Sequence, residues 1–323
     1  MKRIVSLILV LSLSIGCCLA LTACSNDDDG KFKIGICQLV EHVALDAATE
    51  GFMQAIIDEL GEDAVVFDVQ NGQNDPNTCS TIVNQFVSNG VDLIMANATP
   101  ALQSAAAATG DIPILGTSVT EYGVALDLDN YSGIVGGNIS GTSDLAPLDK
   151  QAEMITQWCP DAKTVGLLYC SKEANSLYQV NVVKAELEKK GLTATLYPFT
   201  DSNDLAQICT TAADNCDVIY VPTDNTVAEN TGIIDNICEP KKIPVITGEE
   251  GVCAGCGIAT LSISYYDLGY TTGKMAVKIL RDGADISTMP IANAEKQTPK
   301  YNPQKCEALG IEPLEGYVAI GEN

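Results

Sequence analysis

The sequence predicts an α/β protein built from two Rossmann-like lobes, each with a parallel sheet, joined by a multi-strand hinge. Apolar strands alternate with helices through short links, an order that demands parallel strands and right-handed crossovers. The alternation pauses at a glycine-rich segment, 131–143, and then restarts with units of similar size. Hydrophobic residues make up 46% of the chain, which is enough for two cores.

The first strand, 33–40, is almost continuously apolar, as buried parallel strands are. The helix after it ends at Gly61, and the next helix begins at Pro76 and ends at Gly90. A later helix begins near Pro100, with Thr99 at the capping position. The first half therefore has strands at 33–40, 64–69, 91–96 and 112–119, and helices at 44–60, 76–89 and 101–108.

The second half repeats this order after the glycine-rich segment, which lacks the Gly-Lys-Ser/Thr of a phosphate loop and is interpreted as the rim and crossover of the first lobe. Gly191 and Gly283 end two of its helices. The predicted strands are 164–169, 193–199, 217–221, 243–248 and 257–264, and the predicted helices are 148–159, 177–190, 204–213, 226–238 and 266–280.

The first 23 residues have the features of a secretory signal peptide: a basic start, an apolar run over 4–21 and small residues before Cys24. An apolar run of this length also suits a retained membrane anchor. Leu21-Thr22-Ala23-Cys24 resembles the bacterial lipoprotein box. The resemblance implies cleavage before Cys24 and lipidation at Cys24, and 24–30 would then be a polar tether.

The charge of the chain excludes some partners. Eighteen basic and 42 acidic residues give a formal net charge of −24, and loss of Lys2 and Arg3 on cleavage would make it −26. This balance argues against nucleic acid or anionic lipid as a partner. Arg281 would be the only arginine left, so a ligand carboxylate is expected to meet helix N-termini and hydroxyl groups instead of an arginine fork.

Ten cysteines remain outside the signal peptide and the lipidation site. Those inside apolar runs, such as Cys37 and Cys170, are interpreted as small buried hydrophobic residues. Cys253 and Cys256 have metal-ligand spacing, but no second pair has it, and we expect neither a metal nor a cofactor. A local disulfide or scattered free thiols both fit this pair.

An enzyme is not expected. The only histidine is His42, no Gly-x-Ser-x-Gly motif occurs, and Glu249 and Glu250 are adjacent, so their side chains are expected to point apart. Ligands of parallel α/β sheets bind beyond the carboxyl ends of the strands. Polar, mostly uncharged side chains follow the predicted strands there, and each could also act only as a helix cap. They are Gln38, Asn71, Gln73, Asn97, Thr99, Ser118, Thr120, Ser171, Asn175, Ser176, Asp224, Asn225 and Glu250.

Several stretches spread over most of the mature chain resemble a family of ABC transporter substrate-binding lipoproteins, some of which bind tryptophan or tyrosine. Jointly these stretches are specific for the family, although each alone is weak, and Cys37 and the Cys253/Cys256 pair are not part of the family pattern. The matching stretches are 33–46, Thr99-Pro100-Ala101-Leu102-Gln103, 137–144, Asn175-Ser176, Pro222-Thr223-Asp224-Asn225 and 264–269.

The resemblance implies an extracytoplasmic solute-binding lipoprotein with the type I periplasmic-binding-protein fold, which closes on a small molecule by a hinge motion and delivers it to an ABC permease and its ATPase. Helix 266–280 would return to the first lobe. The predicted first lobe is 31–144 with about 266–283, and the second is 145–265 with about 284–323. The protein would be anchored at the cell surface by lipid on Cys24.

We hypothesise an amino-acid ligand, with an aromatic side chain favoured. Hydroxyl and N–H groups at Thr99, Ser171, Asn175 and Ser176 would bind its carboxylate. Its ammonium group would face Asp224, with Asn225 and Glu250 nearby. Gln38, Ser118 and Thr120 would line the side of the first lobe, and Tyr131, Tyr178 and Tyr265 are candidates for the ring pocket.

Two alternatives stay open at this point. The same module could bind a nucleoside, a sugar or a branched-chain amino acid, because a fold does not fix its ligand. A ligand-sensing lipoprotein without transport is the other alternative.

Overall fold

The computed structural model describes residues 30–294 and 296–321. The predicted signal peptide, Cys24 and most of the tether lie outside these residues. The chain from Phe32 onward forms one compact unit. Within the described residues, no helix combines the length and apolar character that a membrane span requires.

The first sheet is entirely parallel, with the spatial order β11-β5-β4-β3-β1-β2 once its strands are numbered along the chain. Its strands are β1 (Phe32–Gln38), β2 (Val65–Asn71), β3 (Leu93–Asn97), β4 (Ile114–Val119), β5 (Ile139–Ser143) and β11 (Ala292–Asn293). Its helices are α1 (Val43–Leu60), α2 (Pro76–Asn89), α3 (Thr99–Ala108), α4 (Tyr122–Ala125) and α11 (Tyr265–Leu280).

The second sheet has the order β13-β12-β10-β9-β8-β6-β7 and is parallel except for the antiparallel pair of β10 and β12. Its strands are β6 (Thr164–Cys170), β7 (Thr193–Phe199), β8 (Val218–Val221), β9 (Val245–Thr247), β10 (Ala259–Ser262), β12 (Thr298–Tyr301) and β13 (Val318–Ala319). Its helices are α5 (Leu148–Trp158), α6 (Ala174–Lys189), α7 (Ser202–Asn215), α8 (Asn225–Glu229), α9 (Thr231–Cys238), α10 (Glu250–Cys256) and α12 (Pro303–Leu309).

The two sheets share one internal order. The run β2-β1-β3-β4-β5 in the first matches β7-β6-β8-β9-β10 in the second. In sheets of this order the first and third strands flank the switch point, where ligands bind. The predicted α/β class with two Rossmann-like lobes is confirmed.

The chain crosses between the sheets after β5, after β10 and after β11, so the hinge has several strands as predicted. Helix α11 follows the second crossing and packs along α1 of the first lobe. β11 pairs with β5, so the chain returns to the second sheet later than the predicted limit near residue 284. Its backbone finds hydrogen-bonding partners at the open edge of the first sheet.

Local signals set several helix ends where the sequence predicts them. Asp75 accepts a hydrogen bond from the Asn77 N–H and caps α2, Pro76 is its first residue, and Gly90 ends it with φ 63°. Helix α3 begins earlier than predicted, because Ala98 takes φ 91° and Thr99 is already helical.

Helices α4 and α12 were not predicted, and two other regions also differ from the prediction. The predicted helix 226–238 is divided into α8 and α9 at Asn230, whose φ is −125°. Helix α10 was not predicted between the strands 243–248 and 257–264, and it forms because the Glu249 carboxylate accepts hydrogen bonds from the Gly251 and Val252 N–H groups. Cys253 and Cys256 therefore lie on a helix.

Candidate ligand-binding cleft

The two lobes face each other at the carboxyl ends of their parallel strands. Between them lies a cavity of ≈ 10 Å³, about the room for one water-sized group. Hydrogen bonds join the lobes: His42 Nε2 lies 3.2 Å from Asn225 Oδ1, and Asn74 Nδ2 donates to Thr226 Oγ1 at 3.1 Å. The cavity is lined by His42, Ala44, Leu45, Ser118, Thr120, Asp144, Asn175, Thr223, Asp224, Asn225, Ala228, Glu249 and Tyr265.

Half of the predicted ligand-binding residues line this cavity. Ser118 lies near the end of β4 and Thr120 follows that strand directly, both on the first lobe, and Asn175, Asp224 and Asn225 lie on the second lobe. All five are buried. These five residues come together at the carboxyl ends of the parallel strands, where ligands of such sheets bind, and each lobe forms one wall of the cavity.

Gln38 does not reach the cleft. Its Nε2 donates to the Val40 carbonyl oxygen at 2.8 Å and to Asp46 Oδ1 at 2.7 Å, and its Oε1 accepts from the Thr49 hydroxyl at 2.6 Å. These bonds hold it in a separate groove of ≈ 580 Å³, which is larger but is lined only by residues of β1, α1, β2 and the β1–α1 turn. Hydrogen bonds to Asp46 and Thr49 of α1 thus hold the Gln38 side chain, which was predicted to face the ligand, away from the cleft.

Ser171 and Glu250 also lie elsewhere. The exposed Ser171 hydroxyl donates to the Phe199 carbonyl oxygen at 3.0 Å. Both carboxylate oxygens of Glu250 accept from Lys300 Nζ at 2.9 Å, within the second lobe. These partners satisfy the polar groups and keep them out of the cavity.

Thr99 and Ser176 are buried but are absent from the cavity lining. Thr99 is the first residue of α3. The Ser176 hydroxyl donates to the Thr223 carbonyl oxygen at 3.4 Å, so it supports the wall that Thr223 forms.

Asp224 is a helix cap as well as a wall of the cavity. Its Oδ1 accepts from the Val227 N–H at 2.9 Å and caps α8, and its Oδ2 accepts from the Cys170 N–H at 2.7 Å. Burial, and next the nearby charge of Glu173, raise the pKa of Asp224 to about 8. Both oxygens of this carboxyl are thus already engaged by the backbone.

Glu173 was missed by the sequence reasoning although it organises the second wall. Its Oε1 accepts from the Thr226 N–H at 2.9 Å and hydroxyl at 2.8 Å. Its Oε2 accepts from the Asn225 N–H at 3.0 Å and from the side-chain amides of Asn225 and Asn175 at 2.7 and 3.2 Å. This buried carboxylate therefore orients both asparagine side chains that line the cavity.

Asp144 was also missed as a lining residue, whereas Tyr265, a predicted candidate for the ring pocket, does line the cavity. Asp144 follows β5 directly, at the first crossing between the lobes, and Tyr265 begins α11 at the second crossing. The Tyr265 hydroxyl donates to Asp144 Oδ2 at 2.9 Å. A hydrogen bond inside the cavity thus connects two hinge segments.

Three buried polar atoms of the lining residues have no hydrogen-bonding partner: Ser118 Oγ, Asp144 Oδ1 and Asn175 Oδ1. They come from the first lobe, the hinge and the second lobe. Buried polar groups are nearly always paired, and an unpaired one costs about 1–3 kcal/mol. Unpaired atoms gathered around one cavity indicate that the site is built for a polar ligand.

The cleft is acidic. Asp144, Asp224 and Glu249 bring three carboxyl groups to its lining, and none of the described lining residues is a lysine or arginine. Burial raises the pKa of Asp144 and Glu249, and for Glu249 the nearby His42 opposes that shift. A ligand with a cationic group would favour the ionised form of these buried carboxyl groups.

All residues that line the cleft fall within the part of the chain that matches a known family model, ABC transporter substrate binding protein, over residues 33–318. The chain belongs to this family of ABC transporter substrate-binding proteins. The fold class is thereby confirmed as that of the type I periplasmic binding proteins. The family binds solutes, in agreement with a cleft that holds polar groups without partners.

Two relatives have ligands in their names. The tyrosine-binding protein of Clostridioides difficile is 34% identical over 344 residues, which covers 100% of this chain and 97% of the relative. The crystal structure of an ABC domain from Streptococcus pneumoniae in complex with L-Trp has a TM-score of 0.85 at 33% identity and covers 90% of this chain and 100% of that chain.

A further comparison is with a crystal structure in an open, ligand-free form. The ligand-free, open structure of a substrate binding protein with adhesive properties from Clostridium difficile is 41% identical, covers 90% of this chain and 99% of that chain, and has a TM-score of 0.69. The structure of this substrate-binding protein is thus nearer to the L-Trp complex than to the open form, despite the higher identity to the latter. Its narrow cleft and interlobe hydrogen bonds agree with a closed arrangement.

The ten cysteines among the described residues are free thiols, and nine of them are buried. Cys253 and Cys256 are both buried, and no cluster of three or more metal-ligating side chains occurs among the described residues. Cys209 Sγ and Cys238 Sγ lie 3.8 Å apart where α7 packs on α9. The cysteines belong mainly to the cores, as the apolar context of several of them predicts.

Weak sequence signals could have identified the missed lining residues. Asp144 directly follows a strand and ends one of the stretches that resemble the family. Glu249 precedes the first turn of α10, which was not predicted, so its capping position was not recognised. His42 follows β1 within four residues and is the only histidine of the chain.

Proposed function

We propose that this substrate-binding protein captures a free amino acid with an aromatic side chain, such as tyrosine or tryptophan, between its lobes and delivers it to the permease of an ABC importer. The observation that carries the proposal is the group of unpartnered atoms in the cleft, Ser118 Oγ, Asp144 Oδ1 and Asn175 Oδ1. A ligand that binds all three ties both lobes to the hinge, which couples binding to closure.

The acidic lining supports a ligand that carries an ammonium group. A buried carboxylate is stabilised when a cation lies within hydrogen-bonding distance. The ligand's carboxylate is expected at hydroxyl and N–H groups, because the described lining has neither lysine nor arginine. Ser118 Oγ can donate the hydrogen bond that a carboxylate needs.

The tyrosine-binding relative and the relative in complex with L-Trp support a ligand with an aromatic side chain. The cavity of ≈ 10 Å³ holds an amino group but not a ring, so we place the ring of the ligand at the margin of the cavity. Tyr265 lines the cavity, while Tyr131 and Tyr178 are half-buried against the cores of opposite lobes. Burial is the main cause that raises the pKa of both, and the charge of Glu121 adds to both shifts.

The predicted lipid anchor belongs to this proposal. Lipid on Cys24 and a short polar tether would hold the binding unit at the membrane beside the permease. Cells grown with a labelled fatty acid should incorporate the label into the wild-type protein but not into Cys24→Ala. A wild-type protein without label would exclude the lipid anchor.

A thermal-shift screen followed by calorimetry tests the ligand class. The mature chain would be unfolded and refolded under reducing conditions to remove bound ligand, and tested against amino acids, nucleosides and sugars. A ligand at 100 times its dissociation constant should add about 2.7 kcal/mol to the free energy of unfolding. We expect shifts with tyrosine, tryptophan or phenylalanine. A shift confined to branched-chain amino acids, nucleosides or sugars would overturn the aromatic assignment.

A further inference from the structure

We infer that Asp144 holds the ligand's ammonium group, with Asn175 Oδ1 as the second acceptor, and that this contact joins the ligand to the hinge. The inference rests on the proposed function, because it names the residues that recognise the amino group of that ligand. It places the ammonium site away from Asp224, the residue that the sequence suggested for it.

The two acceptors have free capacity in this structure. Asp144 is 4% exposed, its carboxyl group interacts with the side chains of Tyr265, at Oδ2, and Thr120, and its Oδ1 has no hydrogen-bonding partner. Asn175 is 5% exposed, and its Nδ2 donates to Glu173, Ser176 and Thr223 while its Oδ1 has no partner. Three acceptors around Nδ2 fix the orientation of this amide, so Oδ1 is the atom left for a ligand.

The size and charge of the site select an ammonium group. Asn175 Oδ1 can only accept hydrogen bonds, and so can Asp144 Oδ1 when its carboxyl group is ionised. Both atoms therefore require a hydrogen-bond donor on the ligand. An ammonium group is compact and offers three donors, whereas a guanidinium group is a wider planar fork. A cavity of ≈ 10 Å³ fits the compact cation.

Asp224 is poorly suited to the same task. Its Oδ1 and Oδ2 accept backbone N–H groups of Val227 and Cys170 at 2.9 and 2.7 Å. A ligand at Asp224 would have to share or replace these bonds, whereas Asp144 Oδ1 gains its first partner. Burial also raises the pKa of the Asp144 carboxyl, and a bound cation would lower it again.

The position of Asp144 gives the contact a second consequence. Its N–H donates to the Val119 carbonyl oxygen at 3.2 Å, which fixes it to the first lobe at the end of β4. Its bond to Tyr265 reaches the second hinge segment, and Asn175 belongs to the second lobe. A cation between Asp144 and Asn175 therefore favours the closed arrangement of the lobes.

The test compares ligands that lack one charged group with a variant that lacks the carboxylate. Binding of L-tyrosine, tyramine and 3-(4-hydroxyphenyl)propionate, and of the tryptophan equivalents, would be measured by calorimetry on the mature chain. The wild type should bind the amino acid about 100-fold more tightly than the acid without its amino group. In Asp144→Asn this preference should fall to about 10-fold or less, with the affinity for that acid unchanged or higher.

Three controls separate this role from a structural one. Asp144→Asn keeps an acceptor for Tyr265, so its Tm should stay close to that of the wild type. Tyr265→Phe keeps the carboxylate and should retain the preference for the amino group. Asp111→Asn removes an exposed carboxyl of the first lobe and should not change binding.

Two results would overturn the inference. If Asp144→Asn weakened the binding of all three ligands of a series equally, or kept the full preference for the amino group, Asp144 would not bind the ammonium group of the ligand. If the wild type bound none of the amino acids, the proposed function would fail and the inference with it. The former result leaves the proposed function standing, so the two failures are distinguishable.

Discussion

Asp224 combines a buried carboxyl group with a cap on α8, and this makes the ligand-free protein sensitive to pH. Its pKa is about 8 in the folded chain against an ordinary value of 3.8. The folded state therefore keeps a proton that the unfolded chain releases between these values. The resulting stability is fully present below about pH 4 and is lost as the pH rises through 8.

We expect the Tm of the ligand-free protein to fall between about pH 4 and pH 8 and to level off above pH 8, by roughly 2–4 °C for each kcal/mol lost. Asp224→Asn should flatten this dependence, although it removes one acceptor of the Cys170 and Val227 N–H groups and so lowers stability by about 1–3 kcal/mol at every pH. Melting curves followed by circular dichroism measure both effects. An unchanged slope in the variant would assign the pH dependence to other groups, such as Asp144 and Glu249.

Ser118 offers a test that separates binding from stability. Its Oγ is buried without a partner, so Ser118→Ala should leave the free energy of unfolding unchanged or raise it by up to about 1 kcal/mol. The same change should weaken ligand binding about 5–10-fold, since it removes one hydrogen bond to the ligand. Calorimetry and chemical unfolding measure the two quantities.

Ser140→Ala is the matched control for that variant. The buried Ser140 hydroxyl donates to the Met289 carbonyl oxygen at 3.0 Å, outside the cavity lining. Its removal should lower the free energy of unfolding by about 1 kcal/mol and leave the ligand affinity unchanged. The reverse pattern, a destabilised Ser118→Ala protein with normal affinity, would contradict a ligand contact at Ser118.

The sequence predicts which strand ends meet in the cleft but not which side chains turn into it. Gln38 stands at the end of β1 as expected, yet Asp46 and Thr49 of α1 take its polar atoms. Glu249 lines the cavity while the adjacent Glu250 pairs with Lys300. Such choices depend on partners that are far away in sequence, and no local pattern reports them.

At the scale of elements, the close packing of α11 on α1 attaches a helix from late in the chain to the first lobe. Three glycines of these helices leave room for the facing backbone. A methyl group at Gly269 would overlap the carbonyl oxygen of Ala48, and one at Gly51 would overlap that of Tyr266. The glycines are therefore required by the approach of the helices and not by their dihedral angles.

Gly269→Ala should lower the free energy of unfolding by about 1–3 kcal/mol or more, because the helices must move apart. Gly232→Ala in α9 is the matched control, since a methyl group there meets no atom within 4 Å. It should be neutral or should stabilise by about 0.5–1 kcal/mol. Chemical unfolding of both variants measures the difference, and similar stabilities would disprove the tight packing.

Elements with strong periodicity and clear end signals could be predicted, whereas short helices could not. Asp75, Pro76 and Gly90 mark both ends of α2. Helix α10 has seven residues and contains Gly251 and Gly255, so its composition does not favour a helix. It forms because Glu249 caps it and because Val252 and Cys253 are buried in the second lobe.

At the scale of the whole molecule, the closed arrangement depends on few direct contacts between the lobes. Asn74 lies in the turn after β2 and donates across the cleft to Thr226. It is absent from the cavity lining, so it acts on closure without touching the ligand. Ligand affinity is reduced in proportion to any loss of the closed population.

Asn74→Gly removes this contact while keeping a backbone that favours φ 56°. One net hydrogen bond of about 0.5–1.5 kcal/mol should weaken L-tyrosine or L-tryptophan binding by about 3–10-fold. Small-angle scattering should show a larger radius of gyration in the ligand-free variant and a return to the wild-type value with saturating ligand. Asn130→Gly, at an exposed residue with φ 57°, controls for the added flexibility of glycine. Equal affinity in the two variants would mean that closure does not depend on the bond between Asn74 and Thr226, and that the ligand alone holds the lobes together.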